Sequence, residues 1–226
     1  MDKRIGLLGG ISYESTKQYY ELIHRRYFEI KQDYYFPEVV VFSLNFQKFT
    51  DYENTDTPRY IEYIMEGIQG LEAAQVDLIA MAANSPHSAY KSLIKQTKVP
   101  LISIADATLE KAKEYGLRNL LLLGIKHTMD ADFYPEAGTQ NGISVVVPTE
   151  DEKKVIDDII FSELCIGEVN EGSKQKLLAI INKYPVDGVI LGCTELPQII
   201  SQDDTDIMIL NTVEIHVEAI LKYSLE

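Results

Sequence analysis

The chain has 226 residues, of which 46% are hydrophobic and 25% charged, and this mixture excludes a disordered, collagen-like or coiled-coil protein. Thirty-five acidic against 21 basic residues give a net charge of −14, which repels nucleic-acid phosphates and anionic lipid surfaces, so we expect neither as a partner. The longest uncharged apolar runs are too short to span a membrane, and no signal-peptide pattern follows the first residues. We therefore expect a soluble, cytoplasmic protein.

Apolar, strand-like runs alternate along the chain with stretches of helical periodicity. The first run stops at Gly9 and Gly10, and apolar residues then recur at spacings of three and four up to Ile30. Similar helical spacing covers residues 61–71 and 155–164, and Ser85-Pro86 predicts another helix start. Because the strands are almost wholly apolar and alternate with helices, the sequence predicts an α/β fold with parallel sheets covered on both faces. The predicted strands are residues 4–8, 39–44, 77–81, 99–104, 119–123, 143–147, 186–191 and 207–210.

The two halves of the chain resemble each other. Any two strand–helix units look alike, but three matched pairs in the same order favour two related α/β halves. We predict one domain of residues 1–98 with 211–226 and a second of residues 99–210, with a ligand cleft where the carboxyl ends of the strands face one another. The matched pairs are residues 76–85 with 186–195 at an offset of 110, 99–103 with 207–211 at 108, and 4–9 with 119–124.

Small polar residues follow the predicted strands at three places. Ser12 follows the Gly-Gly turn, Asn84 and Ser85 follow the third strand, and Thr194 follows the seventh. At the start of a helix such groups, with the free backbone N–H donors, form a cradle for a carboxylate. Helix capping without ligand contact is the alternative.

Cys193 and Cys165 form no paired Cys-x-x-Cys or Cys/His cluster, which argues against a disulfide framework and a structural zinc site. Cys193 lies where a strand is predicted to meet a helix, and a helix N-terminus would lower its pKa and favour the thiolate. A buried, inert cysteine is the alternative. We expect Cys165 to pack in the amphipathic stretch of residues 159–166, and His87 is the one histidine near the predicted cleft.

Three motifs resemble those of the cofactor-independent aspartate/glutamate racemase superfamily. Gly-Cys-Thr-Glu at residues 192–195 resembles its second cysteine motif, and Ala-Asn-Ser-Pro-His at 83–87 resembles its first, Cys-Asn-Ser/Thr followed by His. Gly-Gly-Ile-Ser-Tyr-Glu-Ser-Thr at 9–16 is similar to the Gly-Gly-Met-Ser-Trp-Glu-Ser-Thr opening of its amino-acid racemases. Further likenesses, including Thr128-Met129, fall in the expected order, so the resemblance spans nearly the whole chain.

The resemblance implies a two-domain racemase in which one cysteine from each domain flanks the substrate α-carbon. One thiolate removes the α-proton and the opposite thiol returns one, without pyridoxal phosphate or metal, so no cofactor is expected. The substrate is a small amino acid or dicarboxylate, and the resemblance also implies a homodimer. By the same likeness, the substrate-binding residues are Ser12, Asn84, Ser85, Thr128, Thr194 and Glu195, and the catalytic positions are Cys193 and Ala83.

The sequence departs from the family at Ala83, which stands where the family has its first cysteine. The alanine is either engineered to silence that residue, or natural with water or another group as donor, or a sign of one-cysteine chemistry such as decarboxylation. A non-catalytic amino-acid-binding protein is a further alternative. Some aspartate racemases of the family carry a lysine where this chain has Cys165 and an arginine near Lys48, so the choice between aspartate, glutamate and other amino acids stays open.

Overall fold

The computed structural model describes residues 3–226, and each of the eight predicted strands is present within a few residues of its predicted bounds. The strands are β1 (Ile5–Gly9), β2 (Val39–Ser43), β3 (Leu78–Met81), β4 (Leu101–Ile102), β5 (Asn119–Leu123), β6 (Ser144–Val146), β7 (Gly188–Leu191) and β8 (Met208–Asn211). The α-helices are α1 (Tyr13–Lys31), α2 (Phe46–Thr55), α3 (Thr57–Ala73), α4 (Tyr90–Leu93), α5 (Ile104–Glu114), α6 (Lys126–Asp130), α7 (Phe133–Asn141), α8 (Glu150–Ser162), α9 (Glu171–Ile181) and α10 (Thr212–Leu225). Short 3₁₀ helices cover Ser85–Ala89, Leu164–Ile166, Leu196–Gln198 and Gln202–Asp204.

The strands form two four-stranded parallel sheets, in the orders β2-β1-β3-β4 and β6-β5-β7-β8. The central strands β1, β3 and β7 are buried along their whole length, whereas the edge strands β2 and β6 are largely accessible. A parallel sheet needs helices on both faces, which explains why the central strands read as continuous apolar runs. The predicted α/β class with two related parallel-sheet units is confirmed.

Helix α3 shows how a helix is held on a sheet in the first unit. Ile64, Ile68 and Leu71 recur at spacings of four and three, and all are fully buried in one apolar cluster with Leu8 and Ile79 of the sheet. Burying each such side chain contributes about 1.5–3 kcal/mol relative to leaving it in water. The spacing of its apolar residues therefore determines which face of α3 packs on the sheet.

The internal duplication is visible in the strand register. Ile5 pairs with Leu78 in the first sheet, and Leu120 pairs with Gly188 in the second. The matches predicted from sequence place Ile5 on Leu120 and Leu78 on Gly188, so the two sheets share the same pairing. The chain beyond the strands matches too, because the amide of Ala82 donates to the carbonyl of Leu8 at 2.8 Å and that of Gly192 donates to Leu123 at 2.6 Å. Ala83 and Cys193 are consequently equivalent positions, two residues past equivalent strands.

The chain divides into two compact units, one of residues up to Ile104 with His216–Glu226 and the other of Ala105–Ile215. Both divisions lie a few residues later than the boundaries predicted at 98/99 and 210/211. Strand pairing explains the first shift, because β4 forms its ladder with β3 in the first sheet. The second division falls within α10, beyond β8, which forms its ladder with β7. No helix within residues 3–226 combines the length and the apolar character that crossing a bilayer requires.

Candidate active site

The second unit carries a thiol and a carboxylate in direct contact just past β7. Cys193 is partly buried, and its Sγ donates a hydrogen bond to Glu195 Oε2 at 2.9 Å. The hydroxyl of Thr194 donates to the same oxygen at 2.6 Å. One carboxylate oxygen therefore accepts hydrogen bonds from two neighbouring side chains, and Thr194 faces Glu195 where the sequence predicted a helix cap or a substrate contact.

Of the two alternatives for Cys193, the thiolate rested on a helix N-terminus beside the sulfur. The turn after β7 leads into the three-residue 3₁₀ helix Leu196–Gln198, so no long helix directs its N-terminus at the sulfur. Burial, followed by the negative charge and hydrogen bond of Glu195, raises the pKa of Cys193 well above its usual range. At neutral pH the resting side chain is a thiol.

Cys165 lies on the 3₁₀ helix Leu164–Ile166 and is exposed, which corrects the expectation that it packs in an amphipathic helix. Helix α8 ends at Ser162, before the cysteine, so its apolar face does not include residue 165. Burial of part of the side chain, and then the charges of Glu195 and Asp157, raise its pKa to about 11. Cys165 is thus a second protonated thiol within electrostatic range of Glu195.

Thr128 contributes a buried hydroxyl beside the same strand end. Thr128 is fully buried on α6, and its Oγ1 has no hydrogen-bond partner within residues 3–226. A β-carbon added at Gly192 would lie 3.5 Å from Thr128 Cγ2, and one at Gly124 would lie 2.9 Å from the carbonyl oxygen of Gly192. The two glycines therefore let the ends of β5 and β7 approach closely, next to a hydroxyl that lacks an acceptor.

In the first unit, the turn between β1 and α1 is held by side chains of the helix start. Ser12 is the N-cap of α1 and accepts from the amide of Ser15 at 3.4 Å. Thr16 Oγ1 accepts from the amide of Gly10 at 2.8 Å and donates to the carbonyl of Ser12 at 2.8 Å. Ser15 donates to the carbonyl of Ala82, so the helix start is tied to the segment that follows β3. Ser12 therefore caps the helix, and Thr16 is a positioning residue that was not among the candidate site residues.

The segment after β3 is buried and lacks an ionisable group at the position equivalent to Cys193. Ala83, Asn84 and Ser85 are all buried, with 6%, 4% and 6% of their surface exposed. The predicted helix start at Ser85-Pro86 is a 3₁₀ helix that continues into α4, and Asn84 makes no side-chain cap there. The methyl group of Ala83 can neither accept nor donate a proton.

His87 is a structural residue of this segment. It is 1% exposed, its Nδ1 lies 3.1 Å from the carbonyl oxygen of Ala83, and its Nε2 accepts from the amide of Ile104 at 3.1 Å. A carbonyl can only accept and an amide can only donate, so the ring is neutral with its proton on Nδ1. Burial lowers the pKa of His87 to about 4. The ring thus holds the Ala83 turn against the end of the first sheet.

His216 is a second neutral, buried histidine in the first unit. Its Nε2 donates to the carbonyl of Ile102 at 3.1 Å, and its Nδ1 accepts from the hydroxyl of Tyr19 at 2.9 Å. Burial, and then the neighbouring His87, lower its pKa to about 3. The two rings lie 5.9 Å apart, and each is hydrogen-bonded to the backbone of residues 102–104.

The predicted site residues gather in two sets, one in each unit. Ser12, Ala83, Asn84 and Ser85 lie past the ends of the adjacent strands β1 and β3, and Thr128, Cys193, Thr194 and Glu195 lie past β5 and β7. Lys48 is exposed on α2. In the described part of the chain, no three His, Cys, Asp or Glu side chains are grouped to hold a metal ion.

The sequence profile of the Asp/Glu/Hydantoin racemase family matches residues 8–220, which include every candidate site residue. The chain belongs to this family. A curated relative, the broad specificity amino-acid racemase RacX of Bacillus subtilis, is 21% identical over 216 residues and 92% of each chain. The solved structure of an aspartate racemase homologue from Pyrococcus horikoshii is 36% identical with a TM-score of 0.87, covering 99% of this chain and 100% of that one. One from Yersinia pestis, assigned to the Asp/Glu racemases, is 28% identical with a TM-score of 0.93 over the same shares.

Membership of the racemase family confirms the resemblance drawn from the three sequence motifs. The family and these relatives are amino-acid racemases, which are isomerases. Of the two equivalent positions in this chain, only Cys193 carries a group able to exchange a proton. The local chemistry of the two sets is therefore unequal.

Proposed function

We propose that the chain interconverts the enantiomers of an amino acid, aspartate or glutamate, and that Cys193 is the group that exchanges the α-proton. The observation that carries the proposal is the partly buried thiol past β7, in a chain of the racemase family. A positioned acid–base group contributes roughly 10²–10⁴-fold to such a proton transfer. The proposed catalytic group needs no cofactor.

Removal of the α-proton leaves an electron pair that delocalises onto the substrate α-carboxylate, so hydrogen-bond donors at that carboxylate stabilise the carbanion. Thr128 supports this role because its buried hydroxyl has no acceptor within the described residues. In the first unit, Ser12, Asn84 and Ser85 are the proposed contacts. A buried hydroxyl without a partner costs about 1–3 kcal/mol, which a bound carboxylate would recover.

The position equivalent to Cys193 is Ala83, so the proposed reaction has one side-chain acid–base group where the family pattern has two. Cys193 serves one face of the α-carbon, and a proton for the other face must come from water or another group. We therefore expect fast exchange of the α-hydrogen in one enantiomer and slow conversion to its mirror image.

A one-cysteine decarboxylase is the second candidate, and the protonated state of Cys193 favours it. In that reaction the bond from the α-carbon to a carboxylate breaks, CO₂ leaves, and the electron pair stays on the carbon. Cys193 then donates its proton to that carbon. A thiol is the required form at the start of this reaction, whereas racemisation first requires the thiol to lose its proton.

Deuterium uptake tests the proposal. We expect the chain in D₂O to exchange the α-hydrogen of aspartate or glutamate, followed by NMR for each enantiomer. Cys193→Ser should abolish exchange, while Cys165→Ser, which alters an exposed thiol, should retain it. Exchange at the parent rate in Cys193→Ser would refute the proposal.

The same experiment separates the alternatives. Release of CO₂ from substituted malonates without exchange of any amino acid would favour the decarboxylase. A rise in melting temperature with aspartate or glutamate, without exchange, would identify a non-catalytic binding protein. Equal rises for alanine and aspartate would contradict a preference for dicarboxylates.

A further inference from the structure

Helix α6 is too short to be stable by itself, and it carries Thr128. An isolated helix needs about 12–15 residues to be even marginally stable in water, whereas α6 has five. Thr128 lies at its centre and is fully buried, and its hydroxyl has no hydrogen-bond partner among residues 3–226. The position of that hydroxyl therefore depends on the contacts that hold the two ends of the helix.

Both ends of α6 are held by side chains of α8. At the first residue of α6, the backbone amide of Lys126 donates to Asp157 Oδ1 at 2.6 Å. At the last residue, Asp130 Oδ1 accepts from Lys153 Nζ at 2.6 Å. Lys153 and Asp157 are four residues apart on α8, so one face of that helix reaches both ends of α6.

The contact between Lys153 and Asp130 belongs to a closed ring of four ion pairs. Lys153 Nζ also contacts Glu150 Oε1 at 2.8 Å. Lys126 Nζ contacts Glu150 Oε2 at 3.0 Å and Asp130 Oδ2 at 2.5 Å. Only 8% of the Lys153 side chain is exposed, whereas those of the other three members are 41–65% exposed. Because exposed ion pairs contribute little, Lys153 is the member on which the connection between α6 and α8 depends.

We propose that Lys153 is a positioning residue for Thr128, which fixes α6 so that the Thr128 hydroxyl donates to the substrate carboxylate. This inference rests on the proposed function, in which that hydroxyl stabilises the carbanion. Lys153 contacts no substrate and transfers no proton. It acts because a donor stabilises a developing charge most effectively when its position is fixed before the charge appears. Asp157 has the same role at the other end of the helix.

Hydrogen exchange of the α6 amides tests the role of Lys153 without any substrate. Lys153→Met removes the charge but keeps an unbranched apolar side chain. The carboxylates of the ring keep their access to water and to Lys126, so the variant should fold. We expect the amides of residues 126–130, followed by mass spectrometry in D₂O, to exchange at least about tenfold faster than in the parent chain.

Two control variants separate this effect from a general loss of stability. Lys153→Arg keeps the charge that both ion pairs require and should retain the parent rate of amide exchange. Lys183→Met removes an exposed lysine that contacts Glu152 of the same helix at 2.8 Å, and it should leave the α6 amides unchanged.

A double-mutant cycle shows whether Lys153 acts through Thr128. Thr128→Val removes the hydroxyl, keeps the shape and breaks no hydrogen bond among residues 3–226, so the melting temperature should not fall. We expect Lys153→Met and Thr128→Val each to slow exchange of the substrate α-hydrogen at least about tenfold, since losing one donor to a developing anion costs about 10²–10³-fold. The double variant should be only as slow as Thr128→Val. A purely structural role of Lys153 would make the two losses multiply.

Parent-rate exchange of the α6 amides in Lys153→Met would overturn the proposal, as would losses that multiply in the double variant. Asp157→Ala removes the acceptor at the other end of α6 and should give the same two results, so the test does not depend on the folding of one variant. Failure of the proposed function gives a different result. In that case the parent chain exchanges no α-hydrogen of aspartate or glutamate, and the amide rates still show whether Lys153 fixes the helix that carries Thr128.

Discussion

His87 and His216 make the first unit sensitive to acid. Both rings are buried and neutral, with Nδ1 the protonated nitrogen of His87 and Nε2 that of His216. Adding a proton to His87 Nε2 would place it against the amide N–H of Ile104, which donates to that nitrogen. Acidification should therefore unfold the protein before it charges these rings.

The magnitude follows from the pKa values. The ordinary histidine value of 6.5 falls to about 4 for His87 and about 3 for His216. Because the pKa of each ring is lower in the folded chain, the unfolded chain binds protons first. The stability that the two neutral rings contribute is therefore fully present above about pH 6.5 and declines as the pH falls toward 4. Each ring contributes a slope of about 1.4 kcal/mol per pH unit, so both together reduce the free energy of unfolding by about 2–3 kcal/mol between pH 6 and pH 5.

Urea denaturation between pH 5 and pH 6.5 measures this slope. The pKa of the Glu152 carboxylate is about 2, below its ordinary value of 4.5, so carboxylates of this kind lose their contribution to stability only below this pH range. Between pH 5 and pH 6.5 the two histidines therefore dominate the change in the free energy of unfolding. His87→Gln and His216→Gln should each roughly halve the slope, whereas His24→Gln on α1 should keep it. A slope near zero in the parent chain, or one that neither buried-site variant reduces, would refute the reasoning.

Two further predictions concern the candidate site and its scaffold. Ala83→Cys should accelerate the formation of the slowly formed enantiomer by roughly 10²–10⁴-fold. NMR and optical rotation measure this rate, and an equal rate of racemisation before and after the change would exclude the two-thiol pattern. Gly10 has a φ of 82°, and an added β-carbon would overlap the backbone of Leu44, so Gly10→Ala should lower the free energy of unfolding by more than about 2 kcal/mol. Gly142 has a φ of 68° with open space around it, so Gly142→Ala should lose only about 1 kcal/mol, and equal losses in urea denaturation would contradict the role of that close approach.

The strands and their duplication were predictable from sequence because their determinants are local. A strand covered on both faces must be apolar at every position, so β3 and β7 are recognisable as uninterrupted runs 110 residues apart. The Gly-Cys-Thr-Glu motif marks the end of β7 in the same way. These features identified the fold class, the equivalence of Ala83 with Cys193, and the family.

The ionisation of Cys193 was not predictable from this local pattern. A small polar residue after a strand is typical of a helix start, but here the chain forms a three-residue 3₁₀ helix and Glu195 bends back onto the sulfur. Cys165, which lies 28 residues earlier in the chain, adds to the same effect. The pKa of a thiol depends on burial and on neighbouring charges, and only the folded chain determines both.

The sequence by itself determined the order of the elements and the equivalence of Ala83 with Cys193, because both are carried by short runs of residues that are close together in the chain. The tertiary structure decided the state of the side chains. Tyr19 and His216 are hydrogen-bonded although 197 residues separate them, and burial of that pair keeps the imidazole neutral. Burial and charge at a site are sums over groups from distant segments, so they exist only once the chain has folded.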